Sequence, residues 1–158
     1  MTDALSRCTA LPPAQFATRY WGQQPYLDRA QGRSYTDLLS AAAVDDLVSR
    51  RGLRTPFLRM AKDGSILAAE RFTRSGGAGA GSADQVADDR VLELMADGST
   101  LVLQGLHRTW PPLVDFGSRL AHELGHPVQI NAYITPPQSQ GFSAHYDVHD
   151  VFVLQLLG

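Results

Sequence analysis

The sequence predicts an α+β fold, and three observations carry that reading. Asp63-Gly64 stands between two short β-prone runs, a strong hairpin signal. Several stretches place apolar residues at helical spacing and are punctuated by proline at the start or glycine at the end. The last third carries β-rich runs at Thr100–Gln104 and Val128–Thr135, the second closed by Pro136-Pro137. At 158 residues and 44% hydrophobic composition, the chain has the length and apolar content of one ordinary domain.

In chain order, Pro12-Pro13 opens a short helix over residues 14–20, with Phe16 and Tyr20 on one face and Gly22 as the stop. Gln24-Pro25-Tyr26-Leu27 is extended. Ser34 has the character of an N-cap for a helix presenting Tyr35, Leu38 and Leu39. A further helix is predicted over residues 44–50, ending at Gly52. Arg50, Arg51 and Arg54 form a small basic cluster, most simply a solvated surface. Residues 56–61 read as a strand, residues 62–64 as a turn and residues 66–68 as the return strand. The Gly/Ala/Ser stretch at residues 75–82 lacks the Lys-Ser/Thr ending of a phosphate loop and reads as a flexible surface loop. Asp88 or Asp89 caps a helix carrying Val91, Leu92, Leu94 and Met95, ended by Asp97-Gly98. Pro111 and Pro112 start the next helix, which runs to about Leu124.

Composition excludes several classes. A formal net charge of -2 gives no basic footprint for nucleic acid, though a partner protein could itself bind it. The single cysteine, Cys8, has no internal disulfide partner, which points to a reducing compartment. Residues 1–15 carry no signal-peptide pattern and no window approaches the length of a membrane helix, so a cytoplasmic protein is expected.

Two motifs offer metal chemistry. His145-Tyr146-Asp147 is a His-x-Asp triplet. On an extended chain alternate side chains share a face, so an imidazole and a carboxylate would point the same way and form two corners of a two-His, one-carboxylate Fe(II) site. The alternative is a solvated loop. The apolar run Val151–Leu154 behind the triplet reads as a buried strand that would hold it. His149 shares the parity of the pair but lies one pleat further along, roughly 7 Å away.

The rival motif is His122-Glu123-Leu124-Gly125-His126, which fits the His-Glu-x-x-His pattern of zinc proteases. Three points count against it. Leu113, Phe116, Leu120 and Leu124 form the apolar stripe of this helix, which puts both histidines on the opposite side. Gly125 and Pro127 break the helix around His126. No Gly or His follows at the spacing of the extended zinc motif, and Glu123 is the last glutamate in the chain, although an aspartate could substitute.

The segments NAYITPP, SQGF, AHYD and DVFVLQLLG, nearly continuous over residues 131–158, resemble JmjC-type, cupin-like 2-oxoglutarate oxygenases, most closely the ribosomal oxygenase branch that hydroxylates histidine in ribosomal proteins. The resemblance extends more weakly upstream through residues 100–107 and towards Tyr20-Trp21 and Gln24-Pro25. It implies an N-terminal helical α/β part at residues 1–99. Residues 100–158 would then be the first strands of a double-stranded β-helix, the two parts together making one domain. It implies Fe(II) on His145 and Asp147, and 2-oxoglutarate as cosubstrate near Asn131 and Tyr133, which share a strand face; the alternative for that pair is a buried, hydrogen-bonded polar couple. It implies a protein substrate, ribosomal in the nearest branch, with a homo-oligomer left open. In that family a distal His and a basic residue for 2-oxoglutarate follow later than residue 158. The chain is therefore expected to hold the first half of the barrel and to be inactive alone. The remaining alternatives are a non-catalytic cupin-like binding module and an incomplete domain completed by a partner chain.

Overall fold

The computed structural model describes every residue except Met1, Thr2, Ala30, Gln31, Ala78 and Ala80. Residues 1–15 and the Gly/Ala/Ser loop at residues 75–82 are thus described only in part, Met1, Thr2, Ala78 and Ala80 lying outside the described residues. In chain order the elements are α1 (Ala4–Cys8), α2 (Pro13–Arg19), α3 (Ala41–Arg50), β1 (Leu58–Lys62), β2 (Ser65–Ile66), β3 (Thr73–Arg74), β4 (Gln85–Val86), α4 (Asp88–Ala96), β5 (Thr100–Leu103), α5 (Leu106–Thr109), α6 (Pro111–Leu124) and β6 (Ala132–Ile134). The fold is a mixture of helices and antiparallel strands. No helix among the described residues is long and apolar enough to cross a membrane.

The chain divides into two units. One comprises residues 41–106 and 130–145; the other comprises residues 1–40, 107–129 and 146–158. That division follows different lines from a split at residue 100.

The first of these units holds a four-stranded antiparallel sheet in the order β2-β1-β5-β6 and a two-stranded β3-β4 pair. The β1–β2 hairpin pairs Ala61 with Ile66 and Lys62 with Ser65. Its two-residue loop, Asp63 (φ 49°) and Gly64 (φ 81°), is left-handed at both positions, as a hairpin turn that matches strand twist requires. Leu58, Met60, Leu101 and Leu103 share one sheet face and are all 0–1% exposed. α3 adds Ala43, Leu47 and Val48 to the buried set, and α4, which packs on β5, adds Val91 and Leu94. β5 is buried along its whole length, because it is central and both its faces are covered. The expected strand at residues 128–135 is shorter, Ala132–Ile134. Its upstream residues have other work: the Ile130 carbonyl accepts from Leu106 N–H at 2.9 Å, and Asn131 turns its side chain to Gly105.

In the other unit α1 packs on α6. Arg7 forms a bidentate pair with Asp37, at 2.8 Å to each carboxylate oxygen, and lies over the rings of Tyr35 and Phe116. Trp110 donates its indole N–H to the Leu38 carbonyl at 3.0 Å. These tertiary bonds explain why Ser34–Leu39 is a single turn rather than the expected helix: Asp37 and the buried Tyr35, Leu38 and Leu39 are held individually. Phe16 gathers Tyr20, Trp21, Tyr26 and Phe152 at centroid separations of 5.8–6.5 Å. The expected buried strand at residues 151–154 is corrected. These residues are in no strand among the described residues, and Val151 and Val153 are 57% and 82% exposed, while Phe152 and Leu154 are half-buried.

Candidate metal centre

His145 lies at the end of the loop that leaves β6. Two glycines set the course of that loop. Gly64, at the hairpin tip, donates its N–H to the Gly141 carbonyl at 3.0 Å, and a side chain at Gly64 would overlap that of Ser143. Gly141 lies against Thr100, whose hydroxyl would be 2.7 Å from a Cβ there. Phe142 then stacks edge-on against Tyr133 at 5.9 Å and against the His145 ring at 6.2 Å.

The imidazole itself is oriented by one bond. His145 Nδ1 is 2.7 Å from the Ser143 carbonyl. A carbonyl only accepts, so Nδ1 carries a proton, and in the neutral ring Nε2 is then the nitrogen with the lone pair. This is the arrangement of a metal-binding histidine, whose second nitrogen is fixed by a backbone carbonyl. His145 is exposed, so Nε2 is accessible. Asp147 is exposed and makes no ion pair among the described residues. An imidazole nitrogen and a free carboxylate two residues apart are suitable donors for a divalent iron. No group of three or more His, Cys, Asp or Glu side chains that would complete such a site occurs among the described residues.

Asn131 and Tyr133, expected at the cosubstrate, are in different circumstances. The Asn131 Oδ1 accepts from Gly105 N–H at 3.1 Å, closing the turn between β5 and α5. That turn needs glycine, because Gly105 has φ 64° and a Cβ there would approach the Phe57 ring to 3.3 Å. Only the amide NH₂ of Asn131 is left to meet a ligand. Tyr133 pairs across β5 with Val102 and is 58% exposed.

The His122–His126 motif is arranged otherwise than a zinc helix. α6 ends at Leu124, and Gly125 turns left-handed at φ 68°, so His126 is outside the helix. Both histidines are exposed, and His126 lies against Trp21 at 6.0 Å. Glu123 is occupied: its two oxygens accept from the N–H groups of Ala4 and Leu5 at 2.8 and 2.7 Å. Burial raises the Glu123 carboxyl, but the bonds from Leu5 and Ala4 outweigh it and hold the group below the usual glutamate range. A carboxylate so held is a poor base for activating water.

A separate cleft of about 460 Å³ is lined by residues that include Arg50, Arg74, Gly76, Gly77 and Gln85; none of His122, His126, Asn131, Tyr133, His145 and Asp147 lines it.

Residues 115–158 match the JmjC domain. The chain is 30% identical over 148 residues to ribosomal oxygenase 1 of Bos taurus, covering 94% of this chain and 21% of that protein. It is 26% identical over 153 residues to the bifunctional lysine-specific demethylase and histidyl-hydroxylase NO66 of Aedes aegypti, covering 93% of this chain and 22% of that protein. Over 31 residues it is 58% identical to the protein of the same name from Drosophila persimilis, covering 20% of this chain and 4% of that protein. The chain spans about a fifth of the length of the curated relatives that it matches along most of its own length. Its C-terminal part thus matches the JmjC domain, and the chain is similar to the ribosomal-oxygenase-like branch of that family.

Proposed function

We propose, from the match of residues 115–158 to the JmjC domain, that the chain supplies two iron ligands, His145 and Asp147, to an Fe(II)- and 2-oxoglutarate-dependent protein hydroxylase. The observation that carries the proposal is the 2.7 Å bond from His145 Nδ1 to the Ser143 carbonyl, which leaves Nε2 free beside an unpaired carboxylate in sequence. In this reading β6 is an early strand of a double-stranded β-helix, and the third ligand comes from elsewhere in the functional protein. Iron with 2-oxoglutarate supplies the activation of dioxygen for hydroxylation of a C–H bond. The chain's residues hold and orient. Ser143 fixes the tautomer and ring plane of His145. Phe142 limits ring rotation through its edge contact. Tyr133 and the free NH₂ of Asn131 offer hydrogen bonds to cosubstrate or substrate. The names of the relatives support a histidine in a ribosomal protein as the substrate class.

The test is metal binding by NMR, with Mn(II) standing in for Fe(II). Mn(II) should selectively broaden the ring signals of His145 and the nearby Asp147 backbone, and His145→Ala or Asp147→Ala should each weaken this by ~10-fold or more. Equal broadening in the parent and both variants would end the iron assignment. In a form carrying the remainder of the domain, the same substitutions should abolish succinate formation from 2-oxoglutarate.

A further inference from the structure

Arg50 ends α3, Arg51 and Arg54 follow it, and the three are in different circumstances. Arg51 pairs with Asp46 and Arg54 with Asp84, each at 2.7 Å. Arg50 is exposed and is in no ion pair among the described residues. It lines the cleft of about 460 Å³ instead, together with Arg74. That volume lies within the roughly 300–1,000 Å³ of small-ligand sites.

The strand register explains why this cleft is polar. Arg74 on β3 pairs with Gln85 on β4, and Gln85 bridges on its other side to Arg54. Residues directly opposite one another project to the same side, so these three form one row. The next row, Thr73 with Val86, is buried, which makes Arg74–Gln85–Arg54 the outer face of the ribbon. Gln85 is half-buried there, with Gly52 close by: a Cβ at Gly52 would be 3.9 Å from Gln85 Nε2. Ser49 and Arg50 line the cleft from α3, Arg74 from β3 and Gln85 from β4. Gly77 adds bare backbone, since a Cβ there would meet nothing within 4 Å. Among the described lining residues one carboxylate occurs, that of Asp88, which accepts from the Asp89 N–H at 3.0 Å. Arg74 pairs with Asp89, but both side chains are about half exposed or more, and an exposed pair of this kind costs little to exchange for a ligand.

We propose that this cleft binds a peptide through an oxyanion on one of its side chains, either a phosphoserine or an acidic residue. Two guanidinium groups against one carboxylate leave the cleft positive, and their planar forks match the oxygens of phosphate and carboxylate alike. Arginine clusters recognise phosphorylated and acidic peptide motifs in this way. A peptide also brings backbone N–H and C=O groups. The Gln85 amide and the Ser49 hydroxyl can donate and accept, and the Asp88 carboxylate can accept. Among the described residues no aromatic ring lines the cleft, so a nucleic-acid base would find no surface to stack on. The cleft lies apart from His145 and Asp147, so the inference does not rest on the oxygenase reading.

The experiment follows the backbone amide signals of Gly52, Gly76 and Gly77 in the ¹⁵N-labelled chain. The probes are three short alanine-rich peptides that differ at one position, phosphoserine, glutamate or serine, together with inorganic phosphate and a short single-stranded oligonucleotide. At least one anionic peptide should move the three signals saturably and bind more tightly than the serine peptide. Arg50→Gln should weaken that binding by ~10-fold or more, since a charge-assisted bond is lost, and Arg50→Lys should lose less. Arg50 is in no ion pair, so both variants should melt close to the parent. Tighter binding of the phosphoserine peptide assigns a phosphorylated partner, and equal or tighter binding of the glutamate peptide assigns an acidic one. The proposal is overturned if neither anionic peptide outbinds the serine peptide, or if Arg50→Gln binds as tightly as the parent. It is overturned equally if inorganic phosphate alone or the oligonucleotide binds as tightly as the better peptide.

Discussion

The backbone N–H of Gly64 reaches the carbonyl of Gly141 at 3.0 Å, tying the tip of the β1–β2 hairpin to the loop that presents His145. The hairpin glycine thus does two things. It supplies a left-handed turn, and its missing side chain leaves room for Ser143, the residue whose carbonyl orients the candidate ligand.

Gly64→Ala should therefore be worse than an ordinary turn substitution. The left-handed backbone alone costs an alanine about 1 kcal/mol, and overlap with Ser143 adds to it. We expect a total loss of about 1–3 kcal/mol in denaturant unfolding, together with weaker Mn(II) binding at His145. Adding Ser143→Gly should restore the steric part and leave the conformational part, because the Ser143 carbonyl is backbone and survives. A double variant no more stable than Gly64→Ala would show that the Ser143 side chain is not the obstacle.

Glu123 gives a pH prediction whose sign is fixed by its bonds. Its folded carboxyl titrates below the ordinary value of 4.5, so its contribution is present above 4.5 and is lost as pH falls through the lower folded value. The packing of α1 on α6 should loosen in that acid window, seen as faster amide exchange at Ala4 and Leu5. Glu123→Gln should remove the pH dependence at these two amides, with a stability loss of at most about 1 kcal/mol because the group is exposed and solvent-screened. Unchanged exchange at Ala4 and Leu5 across the window would show that the two bonds do not hold α1.

His122→Ala with His126→Ala should leave metal binding at His145 intact. The measurable effect should instead be a loss of about 0.5–1 kcal/mol, from the ring contact between His126 and Trp21. Stoichiometric zinc on the parent chain, absent from this double variant, would revive the protease alternative in spite of the occupied Glu123.

Much of the scaffold was legible in the sequence, and the reasons are local. Asp63-Gly64 and the proline start of α6 are each decided by backbone preferences within a few residues, whereas α4 begins where expected but without the expected aspartate cap, its N-cap being Ala87 and Asp88 and Asp89 lying in its first turn. The misreadings lie where distant groups decide. Ser34–Leu39 has a helical pattern, but Asp37 is drawn to Arg7 from thirty residues away. Val128–Asn131 has strand character, but its polar groups close the turn at Gly105–Leu106. Of the candidate site, the His-x-Asp triplet was readable from the resemblance, whereas the proton on His145 Nδ1 was not, since it depends on the path of the Ser143 carbonyl.

The segment after His145 yields the last prediction. Tyr146, Val148, Val151, Val153 and Leu157 are 57–96% exposed, an uncommon density of bare apolar side chains in twelve residues. Between residues 151 and 156 the chain alternates, with Phe152, Leu154 and Leu156 half-buried and Val151, Val153 and Gln155 outward, which is the side-chain pattern of a strand that has no strand partner among the described residues. Extended backbone with open N–H and C=O groups and apolar side chains pairs readily with other chains. This chain should accordingly self-associate, with the average mass in sedimentation rising with concentration. Val151→Lys together with Val153→Lys should shift it towards monomer, because charges on an open strand oppose edge-to-edge pairing. Since Phe152 keeps its place against Phe16 and Trp21, the double variant should retain the parent's melting temperature when both are measured dilute. A parent chain that stays monomeric at high concentration, or a lysine variant that associates as strongly, would show that this segment is not where chains meet.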